Sequence, residues 1–219
     1  MCSELSLYQI KAYHNTNRDN VWENCELVGT EALVAGTGED RSRVITTFDE
    51  IILKDELNKQ ASTAESIDIV VSFILCSGLN DLIDSLRMFT RHRKLRVITT
   101  SYMGATEYEA LEQLVRLPNT EVKIELNSGD RRLHAKAFLF NRSGSASTAY
   151  VGSANISHSA LTTGEEWEVK IREQDMKEAV DDVRSSFEGL WSSPLYTQVT
   201  LTNRALIEAA LEKGKKGKQ

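Results

Sequence analysis

An α/β fold, with a mixed and largely parallel β-sheet flanked by helices on both faces, is predicted by three features of the 219-residue sequence. Runs of β-branched residues alternate with amphipathic stretches between residues 67 and 126, the pattern of βα units. Three strand-like segments then follow closely on one another between 133 and 171. A hydrophobic content of 41% supplies one sizeable core, which excludes a wholly disordered chain.

Residues 1–43 hold one short apolar stretch, 32–35, and are read as an N-terminal extension packing on the domain. Apolar spacing makes 44–57 a helix candidate. The near-continuous apolar run 67–75 (IDIVVSFIL) predicts a strand covered on both faces, and Leu82, Ile83 and Leu86 predict a helix over 79–89. LRVITT at 95–100 repeats the strand signal. A helix over 106–117 has Thr106 as N-cap, Glu109 three residues on and Pro118 as its stop. Residues 122–126, 133–140, 148–151 and 167–171 read as strands, and 176–191 as a helix ahead of Pro194. The principal domain is placed at 44–200, followed by a C-terminal helix and basic tail at 201–219. No internal repeat is present.

The formal charge of −6, from 32 acidic and 26 basic residues, argues against binding polyanions through bulk electrostatics. Local basic clusters remain, notably Arg131-Arg132 and the C-terminal lysines. No run approaches the ~18 apolar residues of a membrane span, and MCSELSLYQI lacks the order of a signal peptide, so a cytoplasmic protein without a membrane partner is expected. Cys2, Cys25 and Cys76 show no paired spacing, and neither a disulfide framework nor a zinc site is expected.

The chemistry concentrates in LHAKAFLFN (133–141) and VGSAN (151–155). On a strand, His134 and Lys136 project from one side. An ammonium beside an imidazole favours the neutral ring, whose nitrogen can act as nucleophile or base, while the lysine offers charge to a phosphate oxygen. Gly152-Ser153 permits a tight turn that places a hydroxyl, a backbone N–H and the Asn155 amide where an oxyanion could rest. Each feature alone also has an ordinary structural reading, a core histidine or a plain turn.

Together, H-x-K-x4-(D/N) followed by G-S-x-N resembles the signature of the phospholipase D superfamily, the HKD phosphodiesterases. His134, Lys136, Ser153 and Asn155 match it one by one; Asn141 stands where the family usually has aspartate. The resemblance implies that Glu166, eleven residues past Asn155, supports the catalytic centre by hydrogen bonding, with Glu168 as the competing acid. Strand alternation is expected to turn Trp167, Val169 and Ile171 to the core and Glu166 to the opposite side. The likeness extends over roughly 40–200 to HKD nuclease domains of bacterial DEAD/DEAH-type helicases and some restriction systems. No G-x-x-x-x-G-K-[ST] occurs, so a helicase or ATPase would be a separate domain or subunit.

A single HKD motif implies a homodimer, in which one His134 attacks phosphorus and the other protonates the leaving oxygen, with no metal and no cofactor. Gly152, Arg131, Arg132, Tyr102 and His158 are candidate substrate-binding residues. Tyr102 follows the strand at 95–100, where open α/β sheets place binding groups, and could stack on a base. The expected function is that of a hydrolase, a metal-independent phosphodiesterase and DNA endonuclease module working through phosphohistidine. Two alternatives are a lipid phosphodiesterase and a catalytically silent module for nucleic-acid binding or dimerisation.

Overall fold

The computed structural model describes residues 41–46, 49, 51–126 and 132–216. Most of the extension, with its 32–35 stretch, Cys2, Cys25 and His14, lies outside the described residues, as do Arg131 and Lys218.

Eight strands form one sheet in the order β1-β7-β6-β5-β2-β3-β4-β8. They are β1 (Arg43–Thr46), β2 (Ser66–Val70), β3 (Lys94–Thr100), β4 (Thr120–Glu125), β5 (Ala137–Asn141), β6 (Thr148–Gly152), β7 (Trp167–Arg172) and β8 (Tyr196–Gln198). The mixed sheet with helices on both faces is as the sequence predicts. Its parallel part is confined to β2-β3-β4, where helices α2 (Cys76–Thr90) and α3 (Tyr108–Val115) make the crossovers. The other pairings are antiparallel, so the parallel share is smaller than expected; β5 and β6, for one, join through a connection too short for a crossover.

One face carries the main core. Ile67, Ile69, Leu95, Val97, Val122, Phe138 and Tyr150 meet α1 (Leu53–Thr63), α2, α3, α4 (His158–Thr162) and α6 (Arg204–Lys216) through residues such as Leu57, Leu82, Leu111, Leu161 and Ile207. The opposite face is covered by α5 (Lys177–Ser192), whose Phe187 and Val180 pack over Val70, Ile98, Leu139 and Ala149. The helix expected over 44–57 is instead strand β1 followed by α1, because Val44 and Ile45 find ladder partners in Val169 and Glu168. Thr106 does not cap α3; its hydroxyl donates to the Thr100 carbonyl at 3.1 Å, and Glu107 takes the cap position. The strand expected from 133 begins only at Ala137.

The faces of β7 depart from the expectation except at Ile171, which packs beside Leu139, Ala149 and Val180. Trp167 (68% exposed) and Val169 face outward beyond the reach of α5, while Glu168 and Lys170 point into the main core. Lys170 is drawn inward by Glu56 on α1, Nζ to Oε1 2.6 Å, and that carboxylate also accepts from the Tyr150 hydroxyl at 2.5 Å. Burial pushes Glu56 up, but the bonds from Lys170 and Tyr150 outweigh it and hold the carboxyl below its usual range.

Asn141, the departure from the expected motif, lies on the α5 side of the sheet. Its Nδ2 donates to Asp68 Oδ2 at 2.9 Å, and its Oδ1 accepts from Arg184 Nε at 3.3 Å. Asp68 is buried on β2 and paired with Arg96 at 2.7 Å. The carboxylate of this network thus comes from position 68, and a second one at 141 would face it. Asn141→Asp is expected to destabilise the protein by roughly 1–3 kcal/mol at neutral pH, the cost of losing a donor and opposing two charges. The repulsion raises a carboxyl pKa in the folded state, so the loss should shrink as pH falls and that group protonates; urea unfolding at pH 7 and pH 4 checks both.

Candidate active site

Four segments converge at one end of the sheet: the extended stretch before β5, the turn after β6, the start of β7 and the loop after β2. Lys136 is buried and folds back on His134, its Nζ lying 3.0 Å from Nδ1, 3.1 Å from Nε2 and 2.8 Å from the His134 carbonyl. His134 itself is exposed. The pair is adjacent as expected, although on irregular backbone rather than a strand. Burial lowers the proton affinity of Lys136, and the charges of Glu166 and Glu168 oppose that shift.

The turn is bound to both neighbours. Gly152 N–H donates to the Lys136 carbonyl at 3.2 Å, which joins the turn to the His-Lys segment. Ser153 N–H donates to the Trp167 carbonyl and the Trp167 N–H donates to Ser153 Oγ, each at 3.1 Å. The Ser153 hydroxyl donates to Glu166 Oε2. Asn155 is buried, and its Oδ1 accepts from the Phe73 N–H at 3.0 Å, which turns the donor end of the amide away from that contact. His134, Lys136, Ser153 and Glu166 are therefore linked by hydrogen bonds around Gly152, and Asn155 follows on the same turn, bonded instead to the loop after β2.

Glycine at 152 is a steric requirement. A Cβ there would lie 2.0 Å from the Trp167 carbonyl oxygen and 2.6 Å from the Glu168 carboxyl group. Glu168 fills the space beneath, with Oε1 accepting from the Ala154 N–H at 2.7 Å. Burial pushes Glu168 up, the Ala154 N–H pulls it down and the charge of Glu166 adds to the rise, to about 7.

The remaining candidates separate into two groups. Arg132 and Tyr102 meet: Nη1 donates to the phenol oxygen at 3.0 Å, and the guanidinium sits 4.9 Å from the ring centroid. Tyr102 opens a short 3₁₀ turn (Tyr102–Gly104) packed under α6; Gly104, at φ +56°, would place a Cβ 2.3 Å from the Leu211 carbonyl oxygen. His158 instead turns to α2, where its Nδ1 lies 2.7 Å from Asp81 Oδ2. Cys76 is not a nucleophile, since burial and Glu107 push its thiol up to about 11.

Glu168, Asp68 and Glu56 are the polar residues sequence reasoning misplaced or missed. An acid inside an otherwise apolar strand run, as Asp68 is within IDIVV, was the available signal.

A family model described as cardiolipin synthase, PLD-like domain, matches residues 54–191, more than half of the chain. The structure is similar to that of NucT from Helicobacter pylori, at 19% identity and a TM-score of 0.53, covering 70% of this chain and 96% of that one. It is similar also to Nuc from Salmonella typhimurium, a phospholipase D family member, at 15% identity and a TM-score of 0.54, covering 73% and 99%. Polyphosphate kinase from Porphyromonas gingivalis shares the fold at 11% identity and a TM-score of 0.54, over 86% of this chain and 30% of that one. No curated protein sequence matches the chain.

Proposed function

The chain belongs to the PLD-like domain family, and on that premise we propose that it is a phosphodiesterase acting on nucleic acid, a DNA endonuclease module whose active site is shared by two copies of the chain. The observation that carries this reading is the His134–Lys136 pair joined through the Lys136 carbonyl to the Gly152 turn, which presents Ser153 bonded to Glu166 and then Asn155. In-line displacement at phosphorus needs a nucleophile on one side and a proton donor on the other. Among the described residues one subunit offers one imidazole to the site, since His158 is engaged with Asp81 and His92 is exposed beyond the end of α2.

His134 attacks phosphorus through a ring nitrogen, forming an N–P bond as the leaving oxygen departs with a proton from the partner's His134. Water then attacks the phosphohistidine while the same partner imidazole takes its proton, and His134 is released. Lys136 and the Asn155 amide neutralise the non-bridging oxygens, the electrostatic task that metal ions perform in other phosphoryl-transfer sites. Arg132, two residues upstream of His134 in sequence, and the Tyr102 paired with it suit a backbone phosphate and a stacked base. The expected setting is a cytoplasmic helicase or restriction system. Among the described residues no helix is long and apolar enough to cross a membrane.

An apolar strip supports the dimer. Trp167, Val169 (42% exposed) and Val44 (46%) share one face of the β1-β7 edge, paired Val44 to Val169 and Thr46 to Trp167, directly beside Glu166. A second copy is the occupant that both buries this strip and supplies the missing imidazole.

The test is cleavage of plasmid and oligonucleotide DNA in excess EDTA, with mass measured by light scattering. Cleavage by a dimer is expected to persist. Trp167→Glu should weaken dimerisation by roughly thirtyfold, a central tryptophan being worth about 2 kcal/mol, and should lose turnover in parallel. A monomeric wild type, or cleavage restored only by added magnesium, would overturn the shared metal-free site.

A further inference from the structure

One buried acid has no part in the scheme of nucleophile and proton donor. Glu168 is 1% exposed, on the same sheet face as Lys136 and directly under Gly152. Its Oε1 is held by the Ala154 N–H, the link between Ser153 and Asn155. Its Oε2 is buried and meets no donor. The carboxyl group lines a cavity of about 90 Å³ together with Glu166, Asp49, Thr46 and Thr162.

A carboxylate needs donors at both oxygens, whereas a carboxylic acid with one accepted N–H and one proton needs far less. The charged groups around Glu168 decide the same way. Glu166 on its own strand is a like charge; Asp49, after β1, is already bonded to Arg43 and the Thr46 N–H. Lys170 and Glu56 neutralise each other further along the face. Among the charged groups Lys136 alone favours ionisation, acting with the Ala154 and Ser153 N–H groups, and burial weakens that cation. The balance leaves Glu168 titrating near neutrality. The cavity is roomy enough for water, which requires only about 15 Å³, and because Oε2 is itself covered, a rotation of the side chain is what brings its proton to that water.

We propose that Glu168 is a positioning residue that carries a proton beneath the phosphate-binding turn and gives the site a pH-dependent charge. Neutral, it anchors the Ser153–Asn155 backbone and leaves Lys136 as the full counter-charge for an anion. Ionised, it releases its proton to cavity water, offsets Lys136 and weakens anion capture. This rests on the phosphodiesterase reading of the same site.

The experiment compares wild type with Glu168→Gln, which keeps the acceptor for Ala154 and removes the titration. Sulfate serves as the anion because its charge is constant from pH 5.5 to 8.5. Wild-type affinity for sulfate, and 1/KM for bis-p-nitrophenyl phosphate, should fall about 5- to 10-fold between pH 6 and 8, an ordinary size for coupled sites, with kcat changed less. In Glu168→Gln this limb should vanish. Reciprocity requires that saturating sulfate raise the Glu168 midpoint, read from its carboxyl ¹³C shift in wild type, by roughly one pH unit. That measurement stands even if the variant does not fold. The same pH profile in both proteins, or a midpoint that sulfate does not move, would overturn the proposal. A wild type that binds neither sulfate nor diester sinks the phosphodiesterase reading instead, while the ¹³C titration still reports whether the acid beneath the turn holds its proton.

Discussion

His134→Ala should lower phosphodiester turnover by on the order of 10⁴-fold or more while leaving melting temperature and dimer mass unchanged. The imidazole is exposed, so truncation opens no cavity and its stability cost should stay within about 0.5 kcal/mol. The catalytic cost is large because one residue type fills two roles. General acid–base catalysis is worth roughly 10²–10⁴-fold, and loss of a nucleophile abolishes the covalent route as well. A mixed population sharpens the test. In a heterodimer of wild-type and His134→Ala chains either the nucleophile or the proton donor is missing, so activity should fall with the square of the wild-type fraction. A linear decline would mean that each chain carries a complete site. DNA retention in a gel shift should survive the substitution, since Lys136, Arg132 and Asn155 remain.

Lys170→Met is expected to cost about 3–5 kcal/mol of folding stability, the typical penalty for breaking a buried ion pair from one side. Both side chains are 6% exposed, and the Glu56 carboxylate would keep only Tyr150 and Gln60 as partners. At about 2–4 °C per kcal/mol for a chain of this size, the melting temperature should drop by roughly 10 °C. The sign with pH follows from linkage. Glu56 is held below its ordinary value in the native protein, so it adds stability above that ordinary value which is lost as pH falls through the folded one. Without Lys170 the effect of burial prevails, the carboxyl moves upward, and the penalty at pH 7 should shrink toward pH 4. Replacing Glu56 by leucine alongside Lys170→Met should recover part of the loss, the remainder being the buried Tyr150 hydroxyl left without its acceptor, which separates an unpaired charge from poor packing.

Much of this architecture was legible in the sequence, for local reasons. The runs around β2, β3 and β4 are β-branched and bounded by helices with clear spacing. The His134–Lys136 pair and the Gly152–Asn155 turn are close in sequence, so their chemistry can be read from adjacent letters. The residues that were misread depend on partners far along the chain. Lys170 is turned inward by Glu56, 114 positions away, against the apolar alternation of Trp167, Val169 and Ile171. Asn141 reads as a weakened motif until Asp68, 73 positions distant, proves to be its partner. Val44 and Ile45 suit a helix as well as a strand, and only the free edge of β7 selects the strand.

That edge also sets an order of assembly. β5, β6 and β7 are neighbours in sequence, so their pairing closes short loops. β1 contributes four residues and reaches β7 across more than a hundred positions, the longest closure in the sheet, for only four residue pairs. It is the strand to dock last and to open first. Ile45 lies opposite Glu168, so each opening of β1 uncovers the acid and returns it to the proton affinity of an ordinary carboxyl group. Amide exchange at Val44 and Ile45 should therefore run faster above pH 7, where an ionised Glu168 gains from reaching water, than the chemistry of exchange alone would dictate.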